Sequence, residues 1–241
     1  MKEKNDYLAI ILATFILFLL LNLMMVDQVL SYEFAGWEQG KLGYELVLLD
    51  AEEEEKPVVL YFYLLESKWC EKMNNEYLAD VEIEEFLSHI PKAAINPDES
   101  EDDAALAETF KLTEYPAFFI LIPDYKTKPD RIHPFSKKGN MTPNEFLNTI
   151  KGFIRSHYNK KAFSYFEQKD YQNAIKYFEI TLTYDQDDAY TYHALGIIHA
   201  TLGAGKKDKR ILNRAAEYFK QALKIDPNLK ESAAELKKLG K

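Results

Sequence analysis

The sequence predicts an N-terminal transmembrane helix, an α/β domain and a C-terminal all-α domain of helical hairpins. The first part follows from 20 uncharged, mainly apolar residues at positions 7–26. The second follows from apolar runs that alternate with amphipathic segments between residues 57 and 155. The third follows from aromatic and small residues at helical spacing after residue 155. The charge balance also changes near this point: residues 27–155 carry 13 basic and 26 acidic side chains, whereas residues 156–241 carry 15 and 11.

The apolar segment 7–26 has the length of a membrane anchor. Twenty helical residues span about 30 Å, the thickness of one hydrocarbon core. A cleavable signal peptide usually has only about 7–15 apolar residues followed by a small-x-small pattern, and that pattern is missing here. Lys2 and Lys4 precede the segment, so we expect residues 1–6 to be cytoplasmic and the following domains to be exported to the periplasmic side. A signal peptide or a buried hairpin helix remain the alternatives.

Composition excludes several classes of protein. The 241 residues include one cysteine, Cys70, which excludes an internal disulfide framework and a multi-cysteine zinc site. A net charge of −9 argues against a nucleic-acid partner. The acidic runs at 52–55 and 98–103 lack the spacing and glycine of a calcium loop, so we interpret them as solvated loops or helix-start charges. No metal or cofactor is predicted.

The α/β domain is predicted from its apolar runs. Residues 57–65 form a continuous apolar run that is typical of a strand buried on both faces. Thr142 and Pro143 have the residue types of an N-cap and a first helical position. The order is β-α-β-α-β-β-α, which predicts a layered sheet with helices on both faces. The predicted strands are 57–65, 92–96, 117–122 and 131–135, and the predicted helices are 70–79, 81–90, 103–112 and 143–155.

Two short motifs in this domain resemble thioredoxin. Trp69-Cys70 follows the first strand at the start of a helix, and Tyr115-Pro116 immediately precedes the strand at 117–122. The resemblance covers about residues 36–155. It implies a thioredoxin-like fold, a cis peptide bond before Pro116, and a peptide-binding surface that includes Trp69, Tyr115 and Pro116.

The departures from thioredoxin concern the residues of the redox chemistry. Met73 occupies the position of the family's second cysteine, which excludes a two-cysteine cycle within one chain. The family's buried acid has no counterpart, and Tyr61 falls at the equivalent place. A helix start and the neighbouring Lys68 and Lys72 would favour the Cys70 thiolate. Cys70 is therefore either a single redox thiol or a cysteine that only packs.

The C-terminal segment resembles tetratricopeptide (TPR) repeats. Two copies, residues 155–188 and 189–228, carry small and aromatic residues at matching places, and 229–239 would form a capping helix. About seven extra residues, rich in lysine and arginine, predict a long turn at 203–212. Because two repeats bury too little surface alone, we expect them to pack on the α/β domain by continuing its last helix. The matching residues are Tyr158, Ala162, Tyr165, Tyr171, Ala174, Phe178 and Thr181 in the first copy, and Tyr192, Leu195, Gly196, His199, Ala215, Phe219, Ala222 and Pro227 in the second.

These features favour a protein-binding function. A membrane-anchored module would hold partner proteins of an envelope complex through its thioredoxin-like face and a helical groove lined by Tyr158, Tyr165 and Tyr192. The first alternative is a single-thiol redox protein that uses Cys70 on exported clients, in disulfide or cytochrome maturation. The second is a permanent structural subunit of a membrane assembly. Enzymatic activity stays open, and the missing second cysteine argues against it.

Overall fold

The computed structural model describes residues 34–122, 129–136 and 139–240. The chain divides between residues 35 and 36, and the description below concerns the unit that begins at Gly36. The predicted anchor at 7–26 lies outside the described residues. Among the helices that are described, none combines the length and the apolar character needed to cross a membrane.

The described part of the α/β region is built on a five-stranded mixed sheet with the order β1-β3-β2-β4-β5. The first three strands in this order run parallel, and β4 and β5 are each antiparallel to their neighbour. All four predicted strands are confirmed with shorter bounds, whereas the two-residue β1 has no apolar run that could have predicted it. The strands are β1 (Glu38–Gln39), β2 (Val58–Phe62), β3 (Lys92–Ile95), β4 (Ala117–Leu121) and β5 (Asp130–Ile132).

Helices cover both faces of this sheet, as predicted. Leu60 and Phe62 of β2 belong to a core cluster with the first and fourth helices. Tyr61 points to the other face, because alternate residues of a strand face opposite sides. There it contacts Phe118, whose ring lies 5.0 Å from that of Phe146. The helices of this region are α1 (Gly40–Glu54), α2 (Lys68–Lys72), a π-helix (Met73–Leu78), α3 (Val81–Ser88) and α4 (Glu101–Thr109).

Three features of this region go beyond the sequence-based predictions. Helix α1 was not predicted, and the acidic run at 52–55 lies at its C-terminal end rather than at a helix start. Val81, the first residue of α3, is 75 % exposed, whereas Ile83 is buried. The run at 98–103 does supply helix-start charges, but Asp103 is buried, and its carboxylate accepts a hydrogen bond of 2.6 Å from the amide of Lys41.

A helical region follows the sheet. Its first helix runs for 25 residues without a break, so the predicted boundary between residues 155 and 156 falls inside one helix. The N-terminus of this helix has the predicted cap: Thr142 and Glu145 form a reciprocal capping box, and Pro143 is the first helical residue. The continuation from the α/β domain is thus confirmed. The helices are α5 (Pro143–Glu167), α6 (Tyr171–Tyr184), α7 (Ala189–Lys206), α8 (Lys209–Ile225) and α9 (Lys230–Lys238).

Close helix packing depends on small residues. A Cβ atom on Gly196 of α7 would lie 2.5 Å from the ring of Phe219 on α8, so only glycine permits this approach. The predicted long turn at 203–212 is wrong. The extra residues lengthen α7 and α8 instead, and only Lys207 and Asp208 connect the two helices.

Glu55 joins the helical region to the α/β region. Its backbone carbonyl accepts a hydrogen bond of 2.6 Å from the hydroxyl of Tyr158, and its carboxylate accepts bonds from Tyr177 at 2.9 Å and Lys176 at 3.0 Å. Burial raises the pKa of the Glu55 carboxyl, but the hydrogen bonds from Lys176 and Tyr177 and the charge of Lys161 together lower this pKa below its ordinary value. The expected packing of the helices on the α/β region is therefore confirmed.

Asn159 connects three helices of this region. Its side-chain carbonyl accepts hydrogen bonds from Thr181 of α6 at 2.9 Å and Thr191 of α7 at 3.0 Å. Its amide donates to the buried carboxylate of Asp188 at 3.1 Å. This network fixes the start of α7 against α5.

Candidate functional site

Cys70 lies in the first turn of α2, directly after the loop that follows β2. Ser67 caps this helix, and its hydroxyl oxygen accepts a hydrogen bond of 3.3 Å from the amide of Cys70. The Cys70 sulfur accepts a bond of 3.4 Å from the amide of Leu64. With 1 % of its surface exposed, Cys70 is enclosed by the loop and the helix that position it.

Tyr61 lies in the pocket of Cys70. Its hydroxyl donates to the side-chain carbonyl of Asn74 at 2.7 Å and approaches the backbone carbonyl of Cys70 at 3.4 Å. Tyr61 is fully buried and Asn74 nearly so. The sequence placed Tyr61 at the position of the thioredoxin acid, and the structure brings it to the cysteine. We call Cys70, Tyr61, Asn74 and Met73 the thiol pocket.

The electrostatics of the thiol pocket differ from the sequence-based expectation. Burial raises the pKa of the Cys70 thiol above its ordinary value, and hydrogen bonds from Ser67, Leu64 and Tyr61 offset only part of this effect. Of the two lysines expected to favour the thiolate, Lys72 pairs instead with Glu76 at 3.4 Å. Cys70 is therefore a neutral thiol at pH 7.

Met73 closes the thiol pocket at the position of the second thioredoxin cysteine. Its side chain is fully buried at the start of the π-helix. A thioether cannot attack a mixed disulfide, because that step requires a thiolate. The thiol pocket thus contains one nucleophile, and that nucleophile is buried and protonated.

An open groove lies beside the thiol pocket. It is lined by Trp69, Tyr115 and Pro116, which the sequence placed on a binding surface. The peptide bond between Tyr115 and Pro116 is cis, as the resemblance implied. Trp69 is 51 % exposed, and its ring centroid lies 5.1 Å from that of Phe135. Cys70 is adjacent to Trp69 in the chain but does not line the groove. We call this surface the Pro116 groove.

Sequence reasoning missed other residues that line the Pro116 groove. These include Glu114, Arg131, His133 and Phe135. The sequence identified residues 131–135 only as a strand. Alternation within that predicted strand was the available signal for positions 131, 133 and 135, although β5 itself ends at Ile132.

The three tyrosines predicted to line a helical groove have other contacts. Tyr158 is buried and bonds to Glu55. Tyr165 stacks on Tyr177 with 5.4 Å between ring centroids, and Tyr192 packs near Tyr218 at 6.4 Å.

The exposed aromatic residues of the helical region are different ones. Phe163 is 47 % exposed and Tyr190 is 65 % exposed. Phe163 lies one turn after Asn159 on α5, and Tyr190 adjoins Thr191, which bonds to Asn159. The ring of Phe163 also contacts that of Phe178 on α6, with 5.0 Å between the ring centroids.

The described residues show no metal centre. Within them, no group of three or more His, Cys, Asp or Glu side chains is placed to hold a metal ion. The acidic residues 98–103 instead include a helix N-cap, in which Ser100 accepts a hydrogen bond from the amide of Asp103 at 3.0 Å.

Several solved structures are similar to the α/β region. A thioredoxin from Thermus thermophilus matches with a TM-score of 0.39 and 20 % identity over 49 % of this chain and 87 % of its own. The DsbH oxidoreductase matches with a TM-score of 0.40 and 20 % identity over 48 % of this chain and 81 % of its own. The oxidised C-terminal domain of DsbD from Neisseria meningitidis matches with a TM-score of 0.40 and 20 % identity over 48 % of this chain and 97 % of its own. Because these scores and identities are low, no functional conclusion depends on them.

No family model matches the sequence, and no curated protein matches it either.

Proposed function

We propose that this chain is a membrane-anchored binding protein that holds partner proteins of an envelope complex and performs no two-cysteine redox cycle. In this proposal residues 7–26 anchor the chain, residues 1–6 are cytoplasmic, and the thioredoxin-like and TPR-like parts are exported to the periplasmic side. The partner is a protein segment that enters the Pro116 groove.

The observation that most supports this proposal is that the Cys70 thiol is buried whereas the neighbouring Pro116 groove is open. Cys70 is 1 % exposed, and burial keeps the thiol protonated. Trp69, the next residue in the chain, is half exposed and lines the Pro116 groove. A surface of this kind supports recognition of an extended segment without requiring thiol chemistry.

The helical region supplies a second contact surface in the proposal. Phe163 on α5 and Tyr190 on α7 both expose large aromatic rings. Exposed aromatic rings are typical anchors of protein interfaces. The TPR-like helices would therefore use these two residues, and not Tyr158, Tyr165 or Tyr192, to bind a partner.

A single-thiol redox function remains the second proposal, because a specific arrangement favours it. The Leu64 amide donates to the Cys70 sulfur, and the nearby hydroxyls of Ser67 and Tyr61 also lower the pKa of the thiol. These donors would stabilise a thiolate if the loop around Cys70 opened. A second protein would then have to resolve the mixed disulfide, since Met73 supplies no thiol.

Partner capture from native membranes separates the two proposals. The full chain is crosslinked in cells without a thiol reagent, and the captured proteins are compared for wild type, Trp69→Ala and Cys70→Ser. A binding protein loses its partners with Trp69→Ala and keeps them with Cys70→Ser. The opposite pattern would establish the redox function. Phe163→Ser with Tyr190→Ser tests the helical surface in the same way, and Phe166→Ser, on the same helix as Phe163, is the matched control.

A further inference from the structure

We propose that the Pro116 groove recognises an extended protein segment that carries a carboxylate side chain, and that Arg131 is the residue that selects it. This inference rests on the proposed binding function and adds the chemistry of the partner. It assigns Arg131 a specificity role.

Arg131 is held in the groove by the sheet. It lies on β5 opposite Phe119 of β4, and its guanidinium carbon is 5.8 Å from the centroid of the Phe119 ring. Its Nη2 atom donates a hydrogen bond of 3.0 Å to the backbone carbonyl of Glu114, two residues before Pro116. The guanidinium thus extends from the sheet edge to the loop that carries Pro116, and its position is fixed at two points.

The guanidinium is incompletely paired in the described structure. A guanidinium has five N–H donors, and its Nε atom is shielded from solvent without an acceptor among the described residues. A buried donor of a charged group that lacks a partner is unfavourable. Burial accordingly lowers the pKa of Arg131, although Glu114 and Tyr115 oppose this effect. A carboxylate in the groove would supply a compensating charge and an acceptor for those guanidinium N–H groups that face the groove.

Arg131 is a positive charge in a part of the chain that is mainly acidic. Residues 27–155 carry twice as many acidic as basic side chains, so most of this region repels an acidic segment. Among the described residues that line the groove, those with ionisable side chains other than tyrosine are Arg131, His133 and the exposed Glu114. Arg131 is therefore the permanently positive side chain of the described groove, and the charge of Glu114 offsets part of it.

The other residues of the groove indicate which side chains could stand next to the carboxylate in the bound segment. Trp69 and Phe135 form an aromatic wall, and Pro116 adds apolar surface. An aromatic or aliphatic side chain next to the acidic residue would pack against this wall. β5 is the last described strand on its side of the sheet, and sheet edges are positions to which extended segments commonly bind. The expected motif is therefore an acidic residue beside a large apolar one.

An array of randomised decapeptides tests this assignment, because it samples acidic and apolar neighbours in every order. The full chain in detergent is applied to the array, and bound peptides are scored for composition. Arg131→Gln removes the charge, and Arg131→Lys keeps the charge but not the planar fork of donors. Arg210→Gln, at a side chain that is 92 % exposed in the helical region, is the control with the same change in net charge. Thermal unfolding of each variant verifies that it is folded.

We expect wild type and Arg210→Gln to select peptides enriched in Asp or Glu next to an apolar residue. Arg131→Gln should bind the best of these peptides about tenfold or more weakly, the effect of losing one charge-assisted contact of ~1.4 kcal/mol. Arg131→Lys should retain part of the preference. Peptide binding with no acidic preference would overturn the role of Arg131 and leave the binding function intact. If neither wild type nor Arg210→Gln bound any peptide, both the inference and the proposed function would be wrong.

Discussion

The thiol pocket and the Pro116 groove are neighbours in the chain and opposites in chemistry. The pocket is closed, and the Tyr61 hydroxyl and the Cys70 sulfur have hydrogen-bond partners within it. The groove is open, exposes half of Trp69, and contains a guanidinium nitrogen without an acceptor among the described residues. The polar groups of the pocket have hydrogen-bond partners, whereas one guanidinium nitrogen of the groove has none among the described residues. We therefore expect the pocket to stabilise the fold and the groove to bind a partner.

The two regions also differ in burial. Cys70, Tyr61 and Met73 are more than 98 % buried and belong to the core. Trp69 is 51 % exposed, Pro116 is partly exposed, and both line the Pro116 groove. Met73 therefore lies with the buried group and not among the residues that line the groove.

The largest expected effect is a difference in stability between a variant of the thiol pocket and a variant of the Pro116 groove. Tyr61→Ala removes a fully buried ring and leaves a cavity, so we expect it to lower the free energy of unfolding by about 3–5 kcal/mol. Trp69→Ala acts on a half-exposed side chain and should cost about 1 kcal/mol or less. Urea titrations of the full chain in detergent, followed by circular dichroism, measure both values. Equal losses would contradict the division into a structural pocket and a binding groove.

The second prediction concerns the reactivity of Cys70. The thiol is buried and its pKa is raised, so both access and the thiolate fraction are low at pH 7. Alkylation by iodoacetamide should be at least about tenfold slower in the native chain than in the same chain unfolded in urea. Mass spectrometry at timed intervals gives both rates. A native rate equal to the unfolded rate would show that the loop around Cys70 opens freely.

A smaller effect is expected from the hydroxyl of Tyr61. Tyr61→Phe removes a hydroxyl that lowers the Cys70 pKa, so this pKa should rise further. Asn74 also loses its donor, which should cost about 1 kcal/mol of stability. The pH dependence of alkylation reports the shift, with the midpoint moving to higher pH. A midpoint that stays unchanged or moves to lower pH would mean that the Tyr61 hydroxyl does not stabilise the thiolate.

The smallest predicted effect is a pH dependence of the groove. Burial and the neighbouring Arg131 lower the pKa of His133 below its ordinary value of about 6.5, so the ring is neutral at pH 7. Because the folded pKa is depressed, protonation disfavours the folded state, and stability from this group declines as pH falls below about 6.5. In the same range the groove gains positive charge.

Acidic peptides should therefore bind severalfold more tightly at pH 5 than at pH 7. Fluorescence polarisation with a labelled peptide taken from the array measures the change. His133→Gln should abolish the dependence on pH. If the dependence persisted in this variant, another group would have to be responsible.

Most strands and several helices could be predicted from the sequence, because the patterns that indicate them involve residues close together in the chain. The apolar run at 57–65 predicted a buried strand, and Thr142-Pro143 predicted a helix start. Helix α1 escaped prediction because it is acidic at its end and exposes Leu42 and Leu49, so its apolar pattern is blurred.

The candidate site could be predicted only in part from the sequence, because it depends on contacts between residues that are far apart in the chain. Tyr61 and Asn74 are 13 positions apart, and Arg131 bonds to Glu114 across 17. Burial of Cys70 depends on how the surrounding loop folds. The spacing of residues in the sequence therefore could not show whether Cys70 is a thiolate. Of the three tyrosines predicted to line a helical groove, Tyr158 is buried, whereas Tyr165 and Tyr192 are partly exposed and contact other rings. Aromatic spacing identifies packing but not the degree of exposure.

The central claim is that this chain binds partners without using its thiol. Non-reducing electrophoresis of native membranes, with free thiols blocked at lysis, tests it by comparing wild type with Cys70→Ser. The account predicts a single monomer band in both samples, with Cys70 recovered as a free thiol. A band of higher mass that appears only in wild type and disappears on reduction would show a mixed disulfide and contradict the account.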